Sequence, residues 1–325
     1  MQINKNTFGV YISLTSIYQN QGILIKTLKS IENQTLLPDK CFIYLSEEPY
    51  LLDDGFKNKV LNIDLSETIF SNSLFELIWT KNIGPYRKLL PLLKQKFNEN
   101  CIIITIDDDT VYDPDLVSHY VNDYIAHNCC ISYRAHILDT TNGIHDCDYK
   151  IRLSESETPR LWNFHTGKGG VVYHPKFFKN TENLIFNDNI YKNLCEVGDD
   201  VWFNLCRIIN KIHCYFLPKN YMIEDNTQKH SLYFTFNYGD NNTIMIRRTI
   251  KKLIKCGYQV PNDYYVSSDP LDTSDSHDLN KSAFFRLSRL SLPSLETLSC
   301  FVNESELELE LELEQDSESV SPHLA

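Results

Sequence analysis

The run Cys101-Ile102-Ile103-Ile104-Thr105-Ile106 stops at three consecutive acids, Asp107, Asp108 and Asp109. An unbroken apolar run of this kind predicts a strand buried on both faces, as in the centre of a parallel sheet covered by helices. Carboxylates at its end are costly unless a ligand uses them, and the carboxyl edge of an open α/β sheet is where ligands bind. Alternate side chains of an extended chain share a face, so Asp107 and Asp109 can hold one hard divalent cation between them. Mg²⁺ or Mn²⁺ bound by one or two carboxylates completes its shell with substrate phosphates.

The flanking sequence predicts the same kind of sheet. Phe8–Thr15 reads as a buried strand, Gly22–Gln34 as a helix (Ile23, Ile25, Leu28, Ile31), and Cys41–Leu45 as a second strand, together a βαβ unit. Phe75–Trp79 is a further strand. After Gly84-Pro85, the residues Leu89, Leu92, Leu93 and Phe97 mark an amphipathic helix. A helix is expected over 115–127, a loop-rich stretch over 139–163, a strand over Cys214–Leu217 and a basic helix over 243–256. Gly198-Asp199-Asp200 opens another helix, with Val201, Trp202, Leu205, Cys206 and Ile209 on its apolar side.

Charge and composition exclude other classes. No apolar run approaches the ~18 residues of a membrane-spanning helix, and the polar start of the chain is unlike a cleavable signal peptide. The net charge is −12, and eight acids without a single Lys or Arg fall in 303–325, leaving a mildly acidic body. Binding to a nucleic-acid backbone, which needs a basic face, is not expected. The 10 cysteines show no zinc-type spacing and several sit in apolar runs, as reduced core residues of a cytoplasmic protein do. From about Ser267 the chain turns to Ser, Asp, Leu and Pro, and the glutamates of the Glu-Leu alternation would repel on one face. Residues 267–325 are therefore expected to be a largely disordered acidic tail.

Five pieces in order are similar to glycosyltransferases of the GT-A fold, near the family 2 type. They are the strand–helix–strand start, Gly84-Pro85-Tyr86-Arg87-Lys88-Leu89, Ile-Thr-Ile-Asp-Asp-Asp, Gly169-Gly170-Val171, and Gly198-Asp199-Asp200-Val201-Trp202. The resemblance covers roughly residues 8–240. It implies an α/β, Rossmann-like, mixed and mostly parallel sheet flanked by helices. Residues 1–266 would be the catalytic domain, with 1–110 as nucleotide-binding half and 111–266 as acceptor half.

It further implies a nucleotide-sugar donor, Mn²⁺ or Mg²⁺, and transfer of the sugar to an acceptor hydroxyl on a carbohydrate or lipid-linked molecule, with inversion. Thr15, Ser16 and Tyr18, after the first strand, would hold the nucleotide, and Glu47 would meet the base or ribose. Lys88 would face the diphosphate, Asp107 and Asp108 the donor. Asp107 and Asp109 would hold the metal, with His230 as a further ligand. Asp199 and Asp200 match the family's acidic pair, one of which takes the proton from the acceptor. The family usually has Glu-Asp there, so which carboxylate acts stays open, with Asp200 favoured. One acid in a helix's first turn is explained by the helix dipole alone, worth about 0.3–1 kcal/mol; two exceed that need. Trp202 could stack on an acceptor sugar or belong to the core. Peripheral membrane contact through the basic helix is left open.

Two other readings stand beside this one. A non-catalytic carbohydrate- or nucleotide-binding module would not need both acidic motifs. A sugar nucleotidyltransferase would carry a Gly-rich, Lys/Arg-bearing first loop, which Ser13–Gln21 lacks.

Overall fold

The computed structural model describes residues 8–140, 142–152, 158–217, 219–227, 231–237 and 239–261. The 267–325 tail and His230 lie outside them. The chain divides into two compact units: among the described residues the first takes 8–250 and Pro261, the second 251–260. The second comprises the end of the last helix and the turn that closes it, where Tyr258 N–H donates to the Leu253 carbonyl at 3.0 Å. The candidate site lies in the first.

It begins with β1 (Gly9–Thr15), α1 (Gln21–Glu32), β2 (Lys40–Leu45), α2 (Ile63–Phe70) and β3 (Phe75–Trp79). α3 (Leu90–Gln95), β4 (Cys101–Thr105), β5 (Thr110–Tyr112), α4 (Leu116–His127), β6 (Cys130–Ser132), β7 (Ala135–Asp139), β8 (Asp148–Arg152), β9 (Asn163–His165) and β10 (Val171–Tyr173) follow. The chain continues through α5 (Glu182–Ile185), α6 (Asp188–Cys195), α7 (Asp199–Ile209), β11 (Cys214–Phe216), β12 (Met222–Asp225), α8 (Leu232–Phe236) and α9 (Asn241–Lys255).

Seven strands form the main sheet in the order β11-β6-β10-β4-β1-β2-β3. Only β10 runs antiparallel to its neighbours, so the sheet is mixed and mostly parallel, as expected. All five residues of β4 are buried. α1 packs against β5 and α2 and carries Leu24, Leu28 and Ile31, each fully buried at helical spacing. A three-stranded sheet, β8-β7-β9, and a two-stranded ribbon, β12-β5, complete the fold.

Three expectations need correction, and one left open, the place of Trp202, is decided. The 139–163 stretch is not simply loop: β8 pairs with β7 there, and its mixed polar sequence hides the period-2 pattern. The helix marked by Leu89 to Phe97 is shorter than its apolar spacing implies, a 3-10 turn over Gly84–Lys88 followed by α3. Trp202 is fully buried and donates its indole N–H to the Ile185 carbonyl at 3.2 Å, so it is core and cannot stack on a sugar. Eight cysteines are buried free thiols, but Cys256 is disulfide-bonded, unlike the reduced residue expected. Among the described residues no helix is long and apolar enough to cross a membrane.

Candidate active site

The carboxyl edge of β4 opens into a cleft of about 790 Å³. Thr15, Ser16, Lys88, Asp107, Asp108, Asp109, Asp199 and Asp200 all line it, although they come from separate parts of the chain. Tyr18 and Glu47 do not line it; both are exposed.

Lys88 joins the acidic groups. Its Nζ lies 2.9 Å from Asp199 Oδ2, 3.6 Å from Asp107 Oδ1 and 3.8 Å from Asp200 Oδ1. Burial pulls its ammonium down, but Asp199, Asp200 and Asp107 outweigh that and hold it well above its ordinary value. This is not a lysine on a solvated helix face. It belongs to the 3-10 turn, whose residues step about 120° apart, so neighbouring Arg87 and Lys88 face different surroundings.

Arg87 faces the loops that follow the first three strands. Its guanidinium is 2.9 Å from Asp53 Oδ2 and donates to Ser46 Oγ at 2.7 Å. Asp53 also accepts from the backbone N–H of Tyr18 and Gly55, both at 3.0 Å, and from Asn82 Nδ2 at 3.0 Å. One carboxylate thus fixes three loops and the turn that bears Lys88. The acid that reaches the cleft from the loop after β2 is therefore Asp53, not Glu47. Paired main-chain bonds between Tyr50 and Asp53 fold the loop back and bring Asp53 inward. Sequence reasoning missed it because Asp53 follows no strand directly and matches no quoted motif. Asp53→Ala leaves a buried guanidinium unpaired, so stability should fall by about 3–5 kcal/mol in denaturant unfolding. A loss below about 1 kcal/mol, the size typical of an exposed pair, would remove Asp53 from this role.

The three acids lie past the end of β4, with Asp108 and Asp109 in the turn that leads into β5. Asp108 turns towards α1, accepting from Ser16 Oγ and from Asn20 Nδ2 at 3.1 Å. Burial, reinforced by Asp109, pushes its carboxyl up to about 7. Asp109 is raised by burial and then by the charge of Asp107, so the two carboxylates repel. The ribbon fixes this segment from outside: Asn226 N–H donates to the Asp109 carbonyl at 2.8 Å.

The donor set suits a hard cation. It consists of carboxylate oxygens only, and a dication between Asp107 and Asp109 would relieve their repulsion. Among the described residues no group of three His, Cys, Asp or Glu is assembled. An ion held by two carboxylates would leave its remaining positions to water and phosphate oxygens.

Asp199 and Asp200 open α7 and take opposite positions. Asp199 is buried against Lys88. Asp200 Oδ2 accepts the Gly167 N–H at 2.8 Å, while its Oδ1, buried from bulk water, accepts no hydrogen bond. Burial raises its carboxyl to about 7, against the opposing pull of Lys88. One helical turn on, Asn204 Nδ2 donates to the carbonyls of Asp200 at 2.8 Å and His165 at 2.9 Å, fixing α7 to β9. A Cβ at Gly167 would displace Lys88 Nζ and come 3.0 Å from Asp200 Oδ1. Gly170, at φ +93°, packs against Tyr120 Oη, where a Cβ would come within 2.9 Å.

No family model matches the chain, and no curated protein does. Among solved structures it is similar to residues 1–349 of S. aureus TarS, at 14% identity and a TM-score of 0.45, over 66% of this chain and 59% of that one. Two structures of that fragment, in complex with UDP and with UDP-GlcNAc, are each 11% identical with a TM-score of 0.46. Both cover 76% of this chain; the match spans 66% of the first and 67% of the second. The chain thus spans about three fifths to two thirds of the length of these structures. Likenesses this distant carry no argument about activity, which rests on the residues of the cleft.

Proposed function

We propose that the chain is a metal-dependent glycosyltransferase that moves a sugar from a nucleotide-sugar donor to an acceptor hydroxyl with inversion. The observation that carries this reading is Asp200 Oδ1, a buried carboxylate oxygen without a hydrogen-bond partner, in the same cleft as the carboxylates after β4. Lys88 bridges the two groups, contacting Asp107 and Asp199.

Asp107 and Asp109 would hold Mn²⁺ or Mg²⁺, which supplies Lewis-acid neutralisation of charge on the departing nucleoside diphosphate. The loops that Asp53 fixes, with Thr15 and Ser16, give the nucleotide a rigid bed. Lys88 keeps Asp199 compensated and adds positive charge beside Asp107. Asp200 Oδ1 takes the acceptor hydroxyl's proton as that oxygen bonds to the anomeric carbon. The bond from that carbon to the diphosphate oxygen breaks with its electron pair leaving on the nucleotide. Attack from the face opposite the leaving group inverts the centre. The Gly167 N–H holds the base's other oxygen, so Oδ1 keeps its aim.

The test is nucleoside-diphosphate release across a panel of sugar nucleotides with Mn²⁺ or Mg²⁺, with product anomeric configuration read by NMR. Inverted product and chelator-sensitive release are expected. Retained configuration would sink the role of Asp200, and pyrophosphate release would make the protein a nucleotidyltransferase.

The raised carboxyl of Asp200 sets a pH dependence. A base must be ionised to act, so kcat should rise with pH through about 7 and then level off. A profile already flat from pH 5 to 8 would show that some other group takes the proton.

A further inference from the structure

Among the described residues lining the cleft, four carry cationic side chains: Arg87, Lys88, Arg134 and Lys168. Three are committed. Arg87 pairs with Asp53 and Lys88 with Asp199. Lys168 pairs with Asp225 and donates to Thr227 Oγ1 at 2.6 Å. The Arg134 guanidinium makes no ion pair and no side-chain hydrogen bond with the described residues, and its Nε is buried without a partner. An arginine presents five donors in a fixed fork shaped for a planar or tetrahedral oxyanion, and burying one of them unused is unfavourable.

Sheet register places this residue. β10 is antiparallel to both β4 and β6, with Val171 opposite Thr105 on one side and Ser132 on the other. β4 and β6 are therefore parallel, with Thr105 and Ser132 at one level. Asp107 is two residues past Thr105, and Arg134 two residues past Ser132. Both leave the same carboxyl edge, two strand spacings or about 10 Å apart. The loops assigned to the nucleotide follow β1 and β2, on the opposite side of β4. Arg134 thus stands across the catalytic acids from the donor.

Its backbone is fixed to the base. The Arg134 carbonyl accepts the Thr166 N–H at 3.0 Å, and the next residue, Gly167, donates to Asp200 Oδ2. Beside it in the cleft, Tyr149 stacks on His136 with ring centroids 4.4 Å apart and meets Phe164 edge-on.

We infer that Arg134 is an acceptor-side anion site: its guanidinium takes a phosphate or carboxylate that the acceptor carries near the hydroxyl presented to Asp200. This rests on the transferase reading and narrows its acceptors to anionic ones. Among seven lining carboxylates (Asp53, Asp107, Asp108, Asp109, Asp199, Asp200 and Asp225), such a group would otherwise be repelled.

The experiment uses the full chain, saturated with Mg²⁺ and with whichever of UDP, GDP, CDP, ADP or dTDP binds most tightly. Glycerol 3-phosphate, glycerate and neutral glycerol are then titrated calorimetrically. Binding of either anion but not of glycerol is expected. Arg134→Gln should weaken anion binding about tenfold, the usual size of a charge-assisted contact, leave nucleotide affinity unchanged, and be partly rescued by Arg134→Lys. Anion binding that vanishes once the nucleotide is in place, or that Arg134→Gln leaves unchanged, overturns the inference. If no nucleoside diphosphate binds, the transferase reading fails, and the Arg134 proposal falls with it.

Discussion

Asp200→Asn should lower kcat by about 10²–10⁴, the usual contribution of a positioned general base, while nucleoside-diphosphate affinity stays within a few-fold. The amide keeps the shape of the carboxylate, and its oxygen can still accept the Gly167 N–H that now holds Oδ2 at 2.8 Å. What it loses is the ability to take a proton at Oδ1. Asp199→Asn should behave differently. It removes the partner 2.9 Å from Lys88, so a buried ammonium loses its nearest counter-charge and the fold should weaken with the activity. Unfolding curves beside initial rates separate the two: Asp200→Asn should melt as the wild type does, and Asp199→Asn at lower temperature. Turnover of Asp200→Asn within tenfold of wild type would remove Asp200 as the base.

Asp109→Ala is the second large effect. Its backbone constraint, the Asn226 N–H on the Asp109 carbonyl, survives the substitution, so the local fold should persist. The loss falls on the cation, whose Lewis-acid help is worth several kcal/mol at a leaving phosphate, or about 10³ in rate. Residual activity should no longer respond to Mn²⁺, Mg²⁺ or chelator, and the cation should no longer enhance nucleotide binding. If the variant still binds nucleotide more tightly with Mn²⁺, and still loses that gain to chelator, the cation site lies elsewhere.

Both predictions start from residues that stood out in the sequence. Asp107, Asp109, Asp199 and Asp200 were visible because each pair adjoins a strong local pattern, the first following an apolar strand and the second opening an amphipathic helix. Lys88 was visible through its Gly-Pro turn, but nothing in the sequence put it in contact with three carboxylates. Glu47 looked like the acid of the second loop because it follows β2 closely. Asp53 takes the cleft position instead, since the main-chain bonds between Tyr50 and Asp53 fold that loop back.

The sequence by itself determined the central strands, the helices that cover them and the acids at their ends, because burial and periodicity act over a few residues. Only the tertiary structure decided which groups meet. It gave Asp53 its four partners, left Asp200 Oδ1 without a hydrogen bond, buried Trp202 and left Arg134 unpaired. These are questions of approach between segments tens of residues apart, such as Gly167 against Lys88 and Asp200. Side-chain pairing at that range depends on sheet register and loop closure, which no local run of residues encodes.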